Sequence, residues 1–462
     1  MVRVILRPVL RIVTALLVAA SLATAACAAD DAVAMVVDLI GRDDAAFRAI
    51  GLERIRTAAK GEAATRTFAG LLATQAPERQ IALVRALADR GDSAALPALA
   101  ALVGTSQDAS VRAAALAALG VLGSGAEVPA LVKALAAADP EKGAARRALA
   151  ILRGSDAAGQ IVAALESAQP GLRPVLIDIL TERRARAIVP ALTTFAADAD
   201  PATRQAALRA LGAIGGAPQV GAMIAGLLKS PAGAERQTAE QAIVAVCTKN
   251  TGHAEAAKVF LAAFRAAPES DQEALLPALG GIGGQESLAI VDDLIASPDA
   301  AKRGFGLKAI SRWPDASVSQ RLLDLVGKTK EPTERDLLVG ALIRIAPLRD
   351  NKLSDGQKLE LVKKTMALCD KEDERARLIE RTSAIRTIDS FRYVSGFLDT
   401  PALAEPACKS VVELAHDRQL RDANKDEFTK ALDRVIGLTK NQELVDRANA
   451  YKAGKTWERK KG

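Results

Sequence analysis

The residue types best suited to metal binding and nucleophilic chemistry are scarce in this 462-residue chain, which has two histidines and four cysteines. We expect His253 and His416 to be structural or surface residues, and the cysteines form no CxxC pair. Adjacent carboxylates such as Asp292 and Asp293 occur, but neighbouring side chains on a helix point apart and are typical of a solvated face. No GxSxG motif or P-loop is present. The sequence therefore predicts no catalytic residue, no metal site and no cofactor, and a protein that is not an enzyme.

Two sets of side chains remain as candidates for contact with a partner. One is a series of cations at regular spacing and the other is a group of aromatic residues towards the C-terminal end: Arg173, Arg204 and Arg236, and Phe391, Tyr393 and Phe397. The cations could line up as an anion site on the concave side, along the second helices, or they could form a structural ladder. The aromatic residues could form a recognition surface, although aromatic residues at helical spacing more often belong to a core.

The basic character of the chain does not indicate a nucleic-acid partner. The formal net charge is +7, and Arg3, Arg7 and Arg11 of the N-terminal segment supply three of these charges, which leaves +4 for the rest. Charges of both signs are interspersed and only 3% of the residues are aromatic. Binding of nucleic acid normally requires clustered cations with aromatic side chains for stacking, so we expect no nucleic acid to bind.

The candidate cations belong to an internal repeat that must position them. The segments VRAAALAALGVLG from Val111, TRQAALRALGAIG from Thr203 and DQEALLPALGGIG from Asp271 are alike. In each, a polar or charged residue is followed by apolar residues four, seven and ten positions later, on one face of a helix. These leading residues are Arg48, Gln80, Arg112, Lys142, Arg173, Arg204, Arg236, Gln272, Arg303 and Arg335. They lie 32, 32, 30, 31, 31, 32, 36, 31 and 32 positions apart, which indicates about ten repeats.

Each repeat is predicted to be a pair of antiparallel helices. A second amphipathic segment, such as the one that begins at Val128, lies between successive leading residues. Four aspartates precede a leading arginine by four positions and are predicted to cap the first helix: Asp44, Asp108, Asp200 and Asp299. Glycines such as Gly120, Gly123 and Gly280 are predicted to end helices in a left-handed conformation. The predicted fold is all-α, an α-solenoid in which stacked hairpins bury their apolar faces against each other.

These segments carry a family resemblance. The D-x-x-x-R helix start, the A-L-x-A-L-G-x-[IL]-G segment and the V-P-A-L helix resemble HEAT repeats over roughly residues 40–345, and the short period is most similar to the compact type found in phycobilisome lyases. The resemblance implies that the leading cation pairs with an acidic residue of an adjacent repeat, which favours the structural ladder. HEAT-type deoxyhypusine hydroxylases bind iron through His-Glu dipeptides, and this sequence has none.

The first 28 residues are typical of a secretory signal. Three arginines precede an apolar stretch, and the small residues at 26–28 form a cleavage site. The stretch is short for a membrane anchor and lacks a charged flank after it. A third interpretation makes Cys27 the lipid-bearing residue of a lipoprotein, although the leucine usual three positions earlier is absent. We therefore expect an exported protein, periplasmic or secreted, with no membrane span after cleavage.

Three cysteines follow the predicted cleavage site, and each lies within an apolar helical pattern: Cys247, Cys369 and Cys408. An oxidising compartment would permit one disulfide and leave one thiol. Their spacing shows no disulfide framework, so we expect them to be buried and unpaired.

The repeat pattern loosens after residue 346, and charged residues become more frequent there. The predicted organisation is therefore a signal peptide at 1–28, a repeat array at 29–346, and divergent helical repeats with a cap and a basic tail at 347–462. Because regular repeats occur without a catalytic set, we predict an extracytoplasmic scaffold that binds a protein partner on its curved surface. The alternative is an accessory or ligand-binding module for an exported enzyme or redox protein, which binds through the C-terminal aromatic region.

Overall fold

The computed structural model describes residues 31–58, 60–349 and 352–457. The predicted signal peptide, with Cys27, lies outside these residues. The described parts of the chain are helical and contain no strand. They form two compact units that divide between Gly215 and Gly216, and the predicted change of pattern at residue 346 falls inside the second unit.

The first unit consists of two layers of helices. The first helices of successive repeats (α2, α4, α6, α8, α10 and α12 below) contact one another in a row, and the second helices form the other layer. Its α-helices are α1 (31–41), α2 (Ala45–Thr57), α3 (Glu62–Gly70), α4 (Pro77–Arg90), α5 (Leu96–Thr105), α6 (Ala109–Leu122), α7 (Val128–Ala134), α8 (Glu141–Ile151), α9 (Ala157–Ser167), α10 (Arg173–Glu182), α11 (Val189–Phe195) and α12 (Pro201–Ile214). Its 3₁₀ helices are Leu71–Thr74, Ser93–Ala95, Gly125–Glu127 and Arg186–Ile188.

The second unit has the same two-layer plan. Its α-helices are α13 (Val220–Lys229), α14 (Ala234–Thr248), α15 (His253–Ala266), α16 (Glu269–Ile282), α17 (Gln285–Ala296), α18 (Ala300–Ile310), α19 (Ser319–Lys328), α20 (Pro332–Ile345), α21 (Asp355–Leu368), α22 (Glu372–Thr382), α23 (Ile388–Ser395), α24 (Ala404–Ala415), α25 (Arg418–Ala423), α26 (Lys425–Leu438) and α27 (Gln442–Lys452). Its 3₁₀ helices are Ala217–Gln219, Ala316–Val318 and Gly396–Asp399. First helices contact one another from α14 to α26, so the stacking continues well past residue 346.

The four predicted aspartate caps are confirmed. Asp44, Asp108, Asp200 and Asp299 each lie one residue before a first helix and accept hydrogen bonds from backbone N–H groups of its first turn. A carboxylate at this position satisfies donors that have no partner inside the helix and interacts favourably with the helix dipole. The start of these first helices is therefore fixed locally.

The prediction that glycines with positive φ end the helices is confirmed at Gly283, which follows α16 with a φ of 70°, and is wrong at most other positions. Gly120 and Gly280 lie inside α6 and α16, and Gly123 has a φ of −81°. A Cβ atom on Gly120 would lie 2.5 Å from the Cα of Ala148 in α8, and one on Gly280 would lie 2.1 Å from the carbonyl oxygen of Ala309 in α18. These two glycines are required because neighbouring first helices approach each other closely there.

Candidate functional site

The predicted cations are held by the backbone of the preceding repeat. The guanidinium of Arg173 donates to the Ala168 carbonyl oxygen, five residues earlier, at 3.1 Å. In Arg204, Arg236 and the leading residue Arg112, the guanidinium donates to the carbonyl oxygen six residues earlier, close to the end of the preceding second helix. The distance is 2.8 Å from Arg112 to Ser106, 2.6 Å from Arg204 to Asp198, and 2.8 Å from Arg236 to Ser230. Carbonyl oxygens at a helix end lack intrahelical donors, so each arginine stabilises the joint between two repeats.

Arg173 and Arg204 meet around the same residue of the first unit. Nη1 of Arg173 lies 3.3 Å from the Asp198 carboxylate, while Arg204 binds the Asp198 carbonyl oxygen. The guanidinium of Arg173 also lies 5.1 Å from the ring centre of Phe195. Both arginines lie in first helices, α10 and α12, and not in the second helices, where the anion site was predicted. Arg236 lies in α14 of the second unit.

Replacement of Arg204 is expected to destabilise the first unit. Arg204 is 5% exposed, so Arg204→Met removes a buried donor from the Asp198 carbonyl oxygen, which Arg204 binds at 2.6 Å. We expect a loss of about 2–3 kcal/mol in the free energy of unfolding, measured with urea. Arg209→Met is the control on the same helix. Among the described residues Arg209 forms an exposed ion pair with Asp178, and loss of such a pair should cost less than about 0.5 kcal/mol. Equal losses for both variants would contradict the proposed joint.

The predicted aromatic residues lie in and around the core of the C-terminal hairpins. Phe391 is 2% exposed and stacks on Phe428 with 3.9 Å between ring centres. Tyr393 and Phe397 are half-buried against the same core and contact each other edge to face at 5.2 Å. Burial raises the pKa of Tyr393 to about 12. Phe391 thus contributes to the core, and Tyr393 and Phe397 present only part of their surface to solvent.

A shallow apolar groove crosses the row of first helices in the first unit, and sequence reasoning missed it. Its cavity volume is about 380 Å³. Side chains of α4, α6 and α8, and of Pro140 directly before α8, line the groove: Ile81, Val84, Arg85, Ala88, Asp89, Ser110, Ala113, Ala114, Ala117, Ala118, Val121, Pro140, Ala144 and Arg147. We call it the first-unit groove. Val121 is 44% exposed at its edge, although apolar side chains of this size are mostly buried in the unit.

The charges that flank the first-unit groove are mainly positive. Arg85 of α4 and Arg147 of α8 are exposed, and within the described residues neither has a carboxylate within ion-pair distance. Asp89 also lines the groove, but its carboxylate is 2.8 Å from Nε of Arg56. The groove therefore presents apolar surface between two exposed cations that form no ion pair among the described residues. The Asp139 carboxylate lies near Arg147, since its Oδ1 and Nη1 of Arg147 would lie 3.0 and 3.3 Å from a Cβ atom placed on Gly143.

The floor of the groove is produced by alanine at solvent-facing positions. On α6, Ala113, Ala114 and Ala117 lie one, two and five positions after Arg112, towards the neighbouring first helices. On α12 the position five after the leading arginine is the charged Arg209. Alanine at the fifth position after the leading residue, where several other repeats carry a charged residue, is the one signal in the sequence that indicates this groove.

The second unit contains a buried carboxylate at a position that is apolar in most repeats. Glu240 of α14 lies four positions after Arg236, where other repeats have residues such as Leu276, and it is 6% exposed. Its Oε2 is 2.8 Å from Nη1 of Arg312, and both residues line a cavity of about 250 Å³. Burial raises the pKa of Glu240 above its ordinary value, although Arg312 and Arg236 act in the opposite direction.

Glu240→Leu is expected to stabilise the second unit at neutral pH. Folding raises the pKa of this carboxyl above its value in the unfolded chain, near 4.3. At a pH below 4.3 the carboxyl is neutral in both states and costs little stability, whereas at higher pH its ionisation favours the unfolded chain and lowers stability. The variant should gain about 1 kcal/mol at pH 7, and the gain should disappear towards pH 4. Urea unfolding from pH 4 to 7 measures it, with the exposed Glu182→Leu as control. A loss of stability at pH 7 would show that the Arg312 pair outweighs desolvation.

The three cysteines of the described residues, Cys247, Cys369 and Cys408, are buried and unpaired, as predicted. Burial raises the pKa of Cys247 to about 12 and those of Cys369 and Cys408 to about 11. Thiols with such pKa values are protonated at neutral pH and are poor nucleophiles. Among the described residues, no three His, Cys, Asp or Glu side chains are grouped as metal ligands. No helix in the described ranges combines the length and the apolar composition that a membrane crossing requires.

Stacked two-helix repeats in two layers define an α-solenoid. Residues 64–150 and 160–244 match the family described as HEAT repeats, so these segments are similar to HEAT repeats. No curated protein matches the chain in sequence.

Solved structures of other helical-repeat proteins are similar at low identity. The crystal structure of Kap121p bound to Ste12p matches at 13% identity and a TM-score of 0.46, over 88% of this chain and 53% of that one. The crystal structure of Kap121p alone matches at 13% identity and a TM-score of 0.48, over 91% of this chain and 53% of that one. The structure of yeast importin-β (Kap95p) matches at 13% identity and a TM-score of 0.39, over 90% of this chain and 70% of that one. This chain thus spans about half the length of Kap121p.

Proposed function

We propose that this protein is a non-catalytic scaffold that binds a partner protein, and that the first-unit groove receives an acidic amphipathic segment of that partner. The observation that carries the proposal is an apolar groove on the exposed row of first helices, flanked by Arg85 and Arg147, which form no ion pair within the described residues. Exposed apolar surface rimmed by polar groups is characteristic of interaction sites.

The shape of the groove favours a helical segment with small or medium apolar side chains on one face. The groove lies across three consecutive first helices, and its floor is made of alanine and valine. A helix presents apolar residues at three- and four-residue spacing to such a surface. Carboxylates on the flanks of that helix could pair with Arg85 and Arg147, which would set the orientation and exclude basic segments.

The apolar surface extends beyond the groove on the same row. Ile151 is 56% exposed. It lies nine positions after the leading residue Lys142, as Val121 lies nine positions after Arg112. Ile50 of α2 is 49% exposed and lies two positions after the leading residue Arg48. Ala114 and Ala144 occupy the same position, two after the leading residue, in their own repeats. A partner segment of several helical turns would therefore find apolar contacts along the row.

Binding through the groove is tested by site-specific photo-crosslinking. A benzoylphenylalanine placed at Ala117, on the groove floor, should crosslink to partner peptides that are amphipathic and acidic, identified by mass spectrometry. The matched control is the same residue at Ala130, an exposed position on the second helix α7. Crosslinks of equal yield from both positions, or to basic peptides, would contradict the proposal.

We further propose that the scaffold acts outside the cytoplasm, on the strength of the signal-like pattern of residues 1–28. Full-length protein expressed in a Gram-negative host should be recovered from the periplasmic fraction with a mature N-terminus near Ala29. Cytoplasmic recovery of a chain that retains Met1 would contradict export, and it would leave the groove proposal to its own test.

A further inference from the structure

The second unit contains an apolar cavity that is separate from the first-unit groove. Its volume is about 400 Å³, and it lies between α15, α16, α17 and α18. The walls are apolar side chains of these helices: Phe264, Leu276, Ile290, Leu294 and Phe305. We call it the second-unit cavity. Its size is in the range of sites for small molecules.

The cavity lies beside helix pairs that are in close contact elsewhere. α16 and α18 touch at Gly280 and the Ala309 carbonyl, and the absent side chain of Gly306 lets α18 approach Ile295 of α17. The cavity is lined by residues nearer the start of α16 and α18, away from the contact at Gly280. The preceding interval, from Arg236 to Gln272, is 36 residues long, and α15 has 14 residues where α13 and α19 have ten. The longer second helix brings Phe264 to the cavity wall.

The mouth of the second-unit cavity carries an excess of negative charge. Glu269, Glu273 and Lys302 lie there with Gln272. Nζ of Lys302 is 2.6 Å from Oε1 of Glu269, and this hydrogen bond raises the pKa of Lys302, so the pair is internally neutral at pH 7. Glu273 forms no ion pair among the described residues, although it interacts with Lys302 at longer range and also lines the neighbouring cavity with Arg236 and Arg312. The lining of the second-unit cavity itself contributes two carboxylates and one cation, so its mouth keeps a net negative charge.

We propose that the second-unit cavity binds a small amphiphile with an apolar chain and a cationic head group. The chain occupies the space between Phe264, Leu276 and Phe305, and the head group pairs with Glu273. A carboxylate or phosphate head group would meet Glu273 and Glu269 and would be disfavoured. A neutral head group would gain only the burial of its chain.

The test compares three ligands with the same six-carbon chain on the full-length protein by isothermal titration calorimetry at pH 7: hexylammonium, hexanol and hexanoate. We expect hexylammonium to bind with a dissociation constant of roughly 0.1–1 mM, about tenfold tighter than hexanol, and hexanoate to bind more weakly than hexanol. Tightest binding of hexanoate, equal binding of all three, or no binding of hexylammonium would overturn the proposal.

Two variants and a control locate the site. Glu273→Gln should weaken hexylammonium about tenfold and leave hexanol unchanged, and Ile290→Phe should weaken both by filling the cavity. Glu255→Gln on α15 removes an exposed carboxylate away from the cavity and should change neither. Unaltered hexylammonium binding to Glu273→Gln, or equal weakening by Glu255→Gln, would overturn the assignment even if Ile290→Phe proved too unstable to measure.

Discussion

Gly280→Ala is expected to lower the free energy of unfolding of the second unit by about 3 kcal/mol. The new Cβ atom would lie 2.1 Å from the carbonyl oxygen of Ala309, so the backbones of α16 and α18 must separate. Overpacking of this kind costs about 1–3 kcal/mol, and here the contact is with rigid backbone and not with a side chain that can turn away. The gain in helix propensity from glycine to alanine, near 1 kcal/mol, does not offset it. Urea unfolding followed by circular dichroism measures the change.

Gly340→Ala is the matched control. Gly340 lies inside α20 of the same unit, and a Cβ atom there meets nothing within 4 Å. The substitution should stabilise the protein by about 0.5–1 kcal/mol, since only the propensity term remains. Stabilisation by both substitutions would show that α16 and α18 do not approach as closely as the structure has them.

Ala117→Trp is expected to reduce binding in the first-unit groove at least about thirtyfold. Ala117 is exposed on the floor of the groove, so an indole would fill the space that the partner helix needs while the core of the unit stays unchanged. A thirtyfold loss corresponds to about 2 kcal/mol, the cost of losing a central contact of an interface. The probe is a fluorescent synthetic amphipathic helix of about 18 residues with alanine and leucine on one face and glutamates on its flanks, measured by anisotropy.

The control for this prediction is Ala130→Trp. Ala130 is equally accessible on α7 but lies on the layer of second helices. It should leave peptide affinity unchanged, and both variants should unfold at the same urea concentration as the parent protein. An equal loss of affinity in both variants would indicate a non-specific effect of the indole.

The repeat and its helix starts could be predicted from the sequence because both depend on local chemistry. A leading residue followed by apolar residues at four and seven positions specifies a helix face, and Asp44 or Asp299 caps a helix whatever surrounds it. The role of the glycines could not be obtained in this way. Gly120 and Gly280 are required by a helix about 30 residues further along the chain, and that contact has no local signature.

The first-unit groove was harder to predict, because its signal in the sequence is the absence of a charged residue at a solvent-facing helix position. Alanine at a solvent-facing position such as Ala117 is expected in any helix because of its high helix propensity. Only the packing of the neighbouring helices shows that Ala117 forms the floor of a groove. The regular spacing of the leading arginines predicts a row of cations, yet a residue such as Arg204 is bound to the backbone of its own chain. Glu240 was detectable in principle, as a carboxylate at an apolar position of the repeat.

The C-terminal region shows how far the pattern of leading residues can be followed. Arg375 in α22 lies 40 positions after Arg335, yet its Nε donates to the Cys369 carbonyl oxygen, six residues earlier, at 2.9 Å. The joint between repeats is therefore retained where the interval lengthens. A search for a fixed period loses the pattern there, because loops can grow without any change in the contact between helices.

The most direct measurement of the central claim is a charge exchange across the first-unit groove. The glutamate-flanked helix and a lysine-flanked helix with the same apolar face are titrated against the parent protein and against the double variant Arg85→Glu, Arg147→Glu. The parent should bind the glutamate peptide with a micromolar dissociation constant and the lysine peptide at least about tenfold more weakly, and the double variant should reverse this preference. Equal affinity of the parent for both peptides, or a preference that the double variant leaves unchanged, would contradict recognition of an acidic partner segment in this groove.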